Sequence, residues 1–104
     1  MTRREELHDE LVALLGSNEV FFQAPSNHKL KYPAIIYSID DVDTKFADSI
    51  PYFIRKRYQI SYLTLDPDDE KVEKILMSTT LQRIRLINHF VSDNIHHYIF
   101  RVYY

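Results

Sequence analysis

The chain has 104 residues, 45% of them hydrophobic and 27% charged, with a formal net charge of −2. That balance describes one ordinary globular domain spanning residues 1–104 and excludes a disordered tail. It gives no global electrostatic reason to hold a polyanion, and the lack of cysteine removes disulfide frameworks, thiolate nucleophiles and cysteine-type zinc sites together.

The N-terminal run Thr2-Arg3-Arg4-Glu5-Glu6 lacks the apolar stretch of a secretory signal, and no run of about 18 apolar residues follows, so a cytoplasmic setting without membrane is expected. Thr2 and Glu5 are spaced as a capping box, Leu7, Leu11, Leu14 and Leu15 recur on one helical face, and Gly16 supplies a left-handed stop. The spacing predicts a helix over 3–15. Residues 19–23 are short, apolar and β-prone, which reads as a brief strand near a sheet edge. Residues 33–42 carry apolar side chains on both faces and read as a central strand. From 52 to 64 the alternation is clean, with Tyr52, Ile54, Tyr58, Ile60 and Tyr62 on one face and Arg55, Arg57, Gln59 and Ser61 on the other. The connection 43–51 reads as a protruding loop bearing Phe46 and Ile50 in polar company.

Asp66-Pro67-Asp68-Asp69-Glu70 offers an N-cap acid, a first-turn proline and acids suited to a helix N-terminus, so a second helix is predicted from Pro67, with Val72, Ile75, Leu76 and Thr79 facing inward. Residues 81–90 and 95–104 then read as an antiparallel hairpin around Ser92-Asp93-Asn94. The single glycine is spent on the first helix, so a tight two-residue turn would need Asn or Asp, and longer connections are expected. The element order is α-β-β-β-α-β-β. The fold class is α+β, a mainly antiparallel β-sheet with two flanking helices, each covering one face.

No constellation of catalytic chemistry emerges, and the chain reads as a non-enzyme without cofactor or metal. His96 and His97 are adjacent on a strand and leave opposite faces, so with His89 they make a poor ligand set. The pairs Asp40-Asp41 and Asp68-Asp69 read as solvated strand-end charge and helix capping. Arg55-Lys56-Arg57 splits between two faces, which favours a salt-bridged outer sheet over phosphate contact. Eight tyrosines against no tryptophan suit surfaces that are half dry and half wet. Tyr37, Tyr58 and Tyr62 read as core, whereas for Tyr52, Tyr103 and Tyr104 core and interface stay equally open.

The stretches 31–37, 44–48 and 51–58, then Asp66-Pro67-Asp68, His89-Phe90 and Asp93-Asn94-Ile95-His96-His97 before an aromatic terminus, resemble a family of small proteins from tailed phages and prophages of Gram-positive bacteria. That family is described as tail terminator, tail completion or minor capsid proteins, and the similarity runs from about Leu7 to Tyr104. The resemblance implies a tail-terminator-like domain in the virion, assembled in the bacterial host cytoplasm. It implies a homo-oligomeric ring, a hexamer, that caps the tail tube protein and docks head-tail connector proteins, with DNA passing through without specific contact. A head-closure, neck or minor capsid protein of the same virion is the alternative within that class, and a small nucleic-acid-binding module is the alternative outside it. Head-to-tail rings pair loops with open sheet edges. On that basis Phe46 is expected as an apolar anchor, Lys45 and Asp48 as register-setting charges, and Arg55 and Arg57 as receivers of a neighbour's acids. Ile50, Tyr52, Tyr103 and Tyr104 complete the expected interface.

Overall fold

The computed structural model describes residues 2–23, 31–47, 50–78, 81 and 84–104, with backbone alone for 43–47 and 50–55. It is an α+β fold of two helices and five strands: α1 (Arg3–Leu15), β1 (Val20–Phe22), β2 (Ala34–Ala47), β3 (Ile50–Thr64), α2 (Lys71–Leu76), β4 (Arg85–Ser92) and β5 (Ile95–Tyr103). The strands form one sheet in the order β1-β2-β3-β5-β4, in which β1 runs parallel to β2 and the other three pairings are antiparallel.

Helix α1 has the extent its leucine spacing predicts. Thr2 Oγ1 accepts from the Glu5 amide at 3.1 Å and donates to Glu5 Oε1 at 3.2 Å, so the box closes through the hydroxyl. Gly16, at φ 77°, returns its N–H to the Val12 carbonyl at 2.8 Å. Leu7, Leu11 and Leu15 are buried, each contributing on the order of 1.5–3 kcal/mol relative to exposure. They meet Ile35 and Tyr37 from β2, Tyr58, Ile60 and Tyr62 from β3, and Tyr98, Phe100 and Val102 from β5 in a single core. Two tyrosine hydroxyls find polar partners there: Tyr37 with His8 Nδ1 at 2.9 Å, and Tyr62 donating to Asp69 at 2.5 Å.

Five expectations change. Val72 and Ile75 of α2 belong to the same core as the α1 leucines, and Lys71 Nζ donates to the Leu15 carbonyl at 2.7 Å. Both helices therefore cover one face, and among the described residues no helix covers the other.

Helix α2 begins at Lys71 instead of Pro67, because the acids before it are spent locally. Asp66 Oδ1 accepts the Asp68 amide, and Asp69 Oδ1 accepts the Lys71 amide, both at 2.9 Å. The helix ends at Leu76, which is exposed rather than inward, and Thr79 lies outside the described residues.

The third change concerns 43–51, which are not a loop along their described length. β2 continues to Ala47 and β3 starts at Ile50, paired from Asp43↔Arg55 to Ala47↔Ile50, because backbone N–H and C=O groups there find partners across the ladder. Fourth, Leu81 is buried in the core ahead of the fourth strand, which starts only at Arg85. Fifth, the β4-β5 connection is tight after all: Asp93 and Asn94 take φ 53° and 64°, the two positive values of a type I′ turn, without glycine.

Candidate protein interface

β1 touches β2 only at Ile35–Tyr37, and β5 follows β3 only from Arg57 to Thr64. Beyond those limits, among the described residues, β2 and β3 pair with no third strand, forming a two-stranded arm of residues 41–47 and 50–56 that Tyr104 meets at its base. Six strand steps carry it roughly 20 Å, in keeping with a molecule 51 Å long and 30 Å by 25 Å across. A register irregularity at Asp40 marks its base, where the ladder twists and bends.

Asp40 also gathers charge on the helix-free face. Its Oδ2 accepts from Arg57 Nε at 3.0 Å and stands 2.9 Å from Arg101 Nε. The second contact is an ion pair whose angle does not complete a hydrogen bond, so that buried Nε keeps no hydrogen-bond partner. Solvent screening keeps these partly exposed pairs weak contributors to stability. They answer the Arg57 charge within the chain, leaving less of it for a neighbour.

At the sheet's other edge, every residue of β4 is exposed, including Leu86, Ile87, Phe90 and Val91. Among the described residues no strand lies beside its outer backbone edge. An edge of eight residues with apolar side chains invites another strand. Its aromatic residues are organised by the hairpin. His89 stacks on Tyr98 at 4.2 Å with Nε2 3.2 Å from His96 Nδ1, while Phe90 stacks on His97 at 4.6 Å on the opposite face. Burial pushes the His97 pKa down. Among the described residues no three His, Asp or Glu side chains gather as a metal site. The His89–His96 contact was invisible to sequence reading because it depends on the β4-β5 register.

A third surface was missed altogether. Arg3 and Arg4 at the start of α1, Lys56 of β3, and the rings of Phe22 and Tyr104 line a groove of about 480 Å³. Arg3 sits 4.2 Å over Tyr104 and Arg4 4.6 Å over Phe22, and the Tyr104 amide donates to the Lys56 carbonyl at 3.1 Å. The signal in the sequence was Arg3-Arg4, read only as the lack of a leader peptide.

Of the nine expected interface residues, Lys45, Ile50, Tyr52, Phe46 and Arg55 fall on the arm's backbone, and Asp48 lies outside the described residues. Tyr103 is exposed on β5 opposite Arg57, and Tyr104 packs half-buried against the core while walling the groove. The arm and Arg57-Tyr103-Tyr104 thus lie at one end of the sheet, whereas β4 edges its far side. No helix among the described residues is long and apolar enough to cross a membrane. No protein-family model matches this chain, and no curated protein matches it in sequence.

Proposed function

We propose that this chain is a structural subunit of a tailed-phage virion, a tail terminator whose copies close into a ring on the end of the tail tube and present a docking surface to the head connector. The observation that carries the reading is the combination, on one sheet and among the described residues, of a two-stranded arm with no third strand and an edge strand with exposed apolar residues. An arm on one copy and an open edge on the next are the unlike surfaces that head-to-tail association needs, and repeated rotation closes them into a ring. The sequence resemblance supplies the setting, and the geometry supplies a means of assembly.

The test is reconstitution. Purified chain is mixed with finished tail tubes built from tube protein and imaged by negative stain. Ring-shaped caps at tube ends are the expected result, and tubes left bare at saturating chain would overturn the proposal. Rings that join the head connector and ignore the tube would move the protein to the neck.

A further inference from the structure

Two clusters of opposite charge stand at the two ends of the helix layer. At one end is the groove with Arg3, Arg4 and Lys56. At the other, the turn between β3 and α2 places Asp66, Asp68 and Glu70 on the surface, with Glu73 exposed one turn further on. The ends are fixed by α1: its first residues line the groove, while its last carbonyl, of Leu15, is held by Lys71 next to the acidic turn. Thirteen helical residues separate them by about 20 Å. The helix dipole points the same way, positive toward the groove and negative toward the turn.

We infer that the acidic turn of one copy docks into the groove of the next, a charge-matched contact between two copies of this chain. This rests on the reading that the protein works as repeated copies, and it assigns that contact a second pair of surfaces. Asp68 and Glu70 are suited to it because their carboxylates are not spent on the turn: Asp66 and Asp69 hold its amides instead. On the receiving side, Glu6 holds Arg3 at 3.1 Å and Arg4 lies over the Phe22 ring, so among the described groove residues exposed Lys56 is the amine best placed to meet an incoming acid. Apolar surface matches as well. Leu65 and Met77, which flank the turn and α2, are 59% and 81% exposed, and aromatic walls are good partners for methionine sulfur. Because groove and turn are different surfaces at opposite ends, each copy can give one and receive the other without exhausting either.

The test mixes ordinary chain with an isotope-labelled copy and applies a carbodiimide, which joins an amine to a carboxylate already in contact. The expected product is a mixed-isotope cross-link from Lys56 to Asp68 or Glu70, suppressed by high salt. Lys56→Glu should weaken low-salt association about tenfold, as should Asp68→Lys with Glu70→Lys, and all three together should restore it. All three residues lie on the surface, and circular dichroism confirms that the variants fold. Absence of the mixed cross-link, or association indifferent to the reversals, overturns the inference. So does a Lys56→Glu effect confined to retention on duplex DNA. A chain that caps tail tubes without this cross-link keeps the ring and loses the groove contact, whereas one that cross-links here and ignores tubes does the opposite.

Discussion

β2 and β3 run through two environments, and the contrast between them separates what holds this fold from what it offers. In the body, Ile35, Tyr37, Tyr58, Ile60 and Tyr62 are sealed beneath α1 and α2, and β1 and β5 add a further strand on each side. In the arm the same strands keep their ladder but, among the described residues, have no additional strand beside them. A lone two-stranded ribbon is at best marginal in water. The body therefore has to supply the stability, and the arm gains most from contact with another chain.

The sharpest way to break the comparison is to damage the body. Phe100 is fully buried in a core built from both helices and four strands, so Phe100→Ala should cost about 3–5 kcal/mol. Urea denaturation should show the midpoint collapse, and a loss under about 1 kcal/mol would mean that the core is not where the stability lies.

Next comes Asp69, which ties the end of β3 to the start of α2. Its carboxylate accepts from the Tyr62 hydroxyl, the Thr64 hydroxyl at 2.8 Å and the Lys71 amide. Burial on its own would push the Asp69 pKa up, but those donors together hold it below the ordinary aspartate value. A depressed folded pKa means stability that is present above the unfolded value and lost as the pH falls through the folded one. Asp69→Ala should cost about 2–3 kcal/mol at neutral pH by stranding the two hydroxyls, and it should flatten the decline in stability below about pH 4. An unchanged acid limb would assign the decline to other carboxylates. Tyr62 responds at the other extreme: burial and the Asp69 carboxylate raise its pKa, so its contribution holds below about pH 10 and fades above.

The turn of the β4-β5 hairpin is worth less. Asn94 at φ 64° occupies a backbone region that alanine tolerates at a cost of about 1 kcal/mol. Asn94→Ala should lower stability by that amount and Asn94→Gly should not, as denaturation midpoints would show. Equal effects would mean that the turn takes another form in solution.

How much of this was legible depends on whether the signal was local. Helix α1 was readable to the residue because cap, leucine spacing and glycine stop all act within one turn of their targets. The burial of Tyr37, Tyr58 and Tyr62 followed from alternation alone. Helix α2 was misplaced because Asp66 and Asp69 hold turn amides ahead of it, while the other oxygen of Asp69 answers to Tyr62 and Thr64, residues on a strand that local capping rules do not see. Residues 43–51, the outer part of the arm, were read as a loop because their polar composition resembles one, while the order of those described comes from pairing across the ladder. The groove combines α1, β1, β3 and the last residue of the chain, a meeting that no window along the sequence contains.

The smallest expected effect on stability is also the one that separates arm from body most cleanly. Phe46 lies in the arm's backbone ladder, where β2 pairs only with β3. If the arm contributes contact and not core, Phe46→Ala should shift the denaturation midpoint by no more than about 0.5 kcal/mol, the range of a surface substitution. The same variant should fail to cap tail tubes in negative stain, because truncating a central aromatic anchor commonly removes 2 kcal/mol or more from an interface. Intact capping would strip Phe46 of its anchoring role. A loss of stability as large as that from Phe100→Ala would show instead that the arm folds back into the core, and the division between what holds the molecule and what it offers would dissolve.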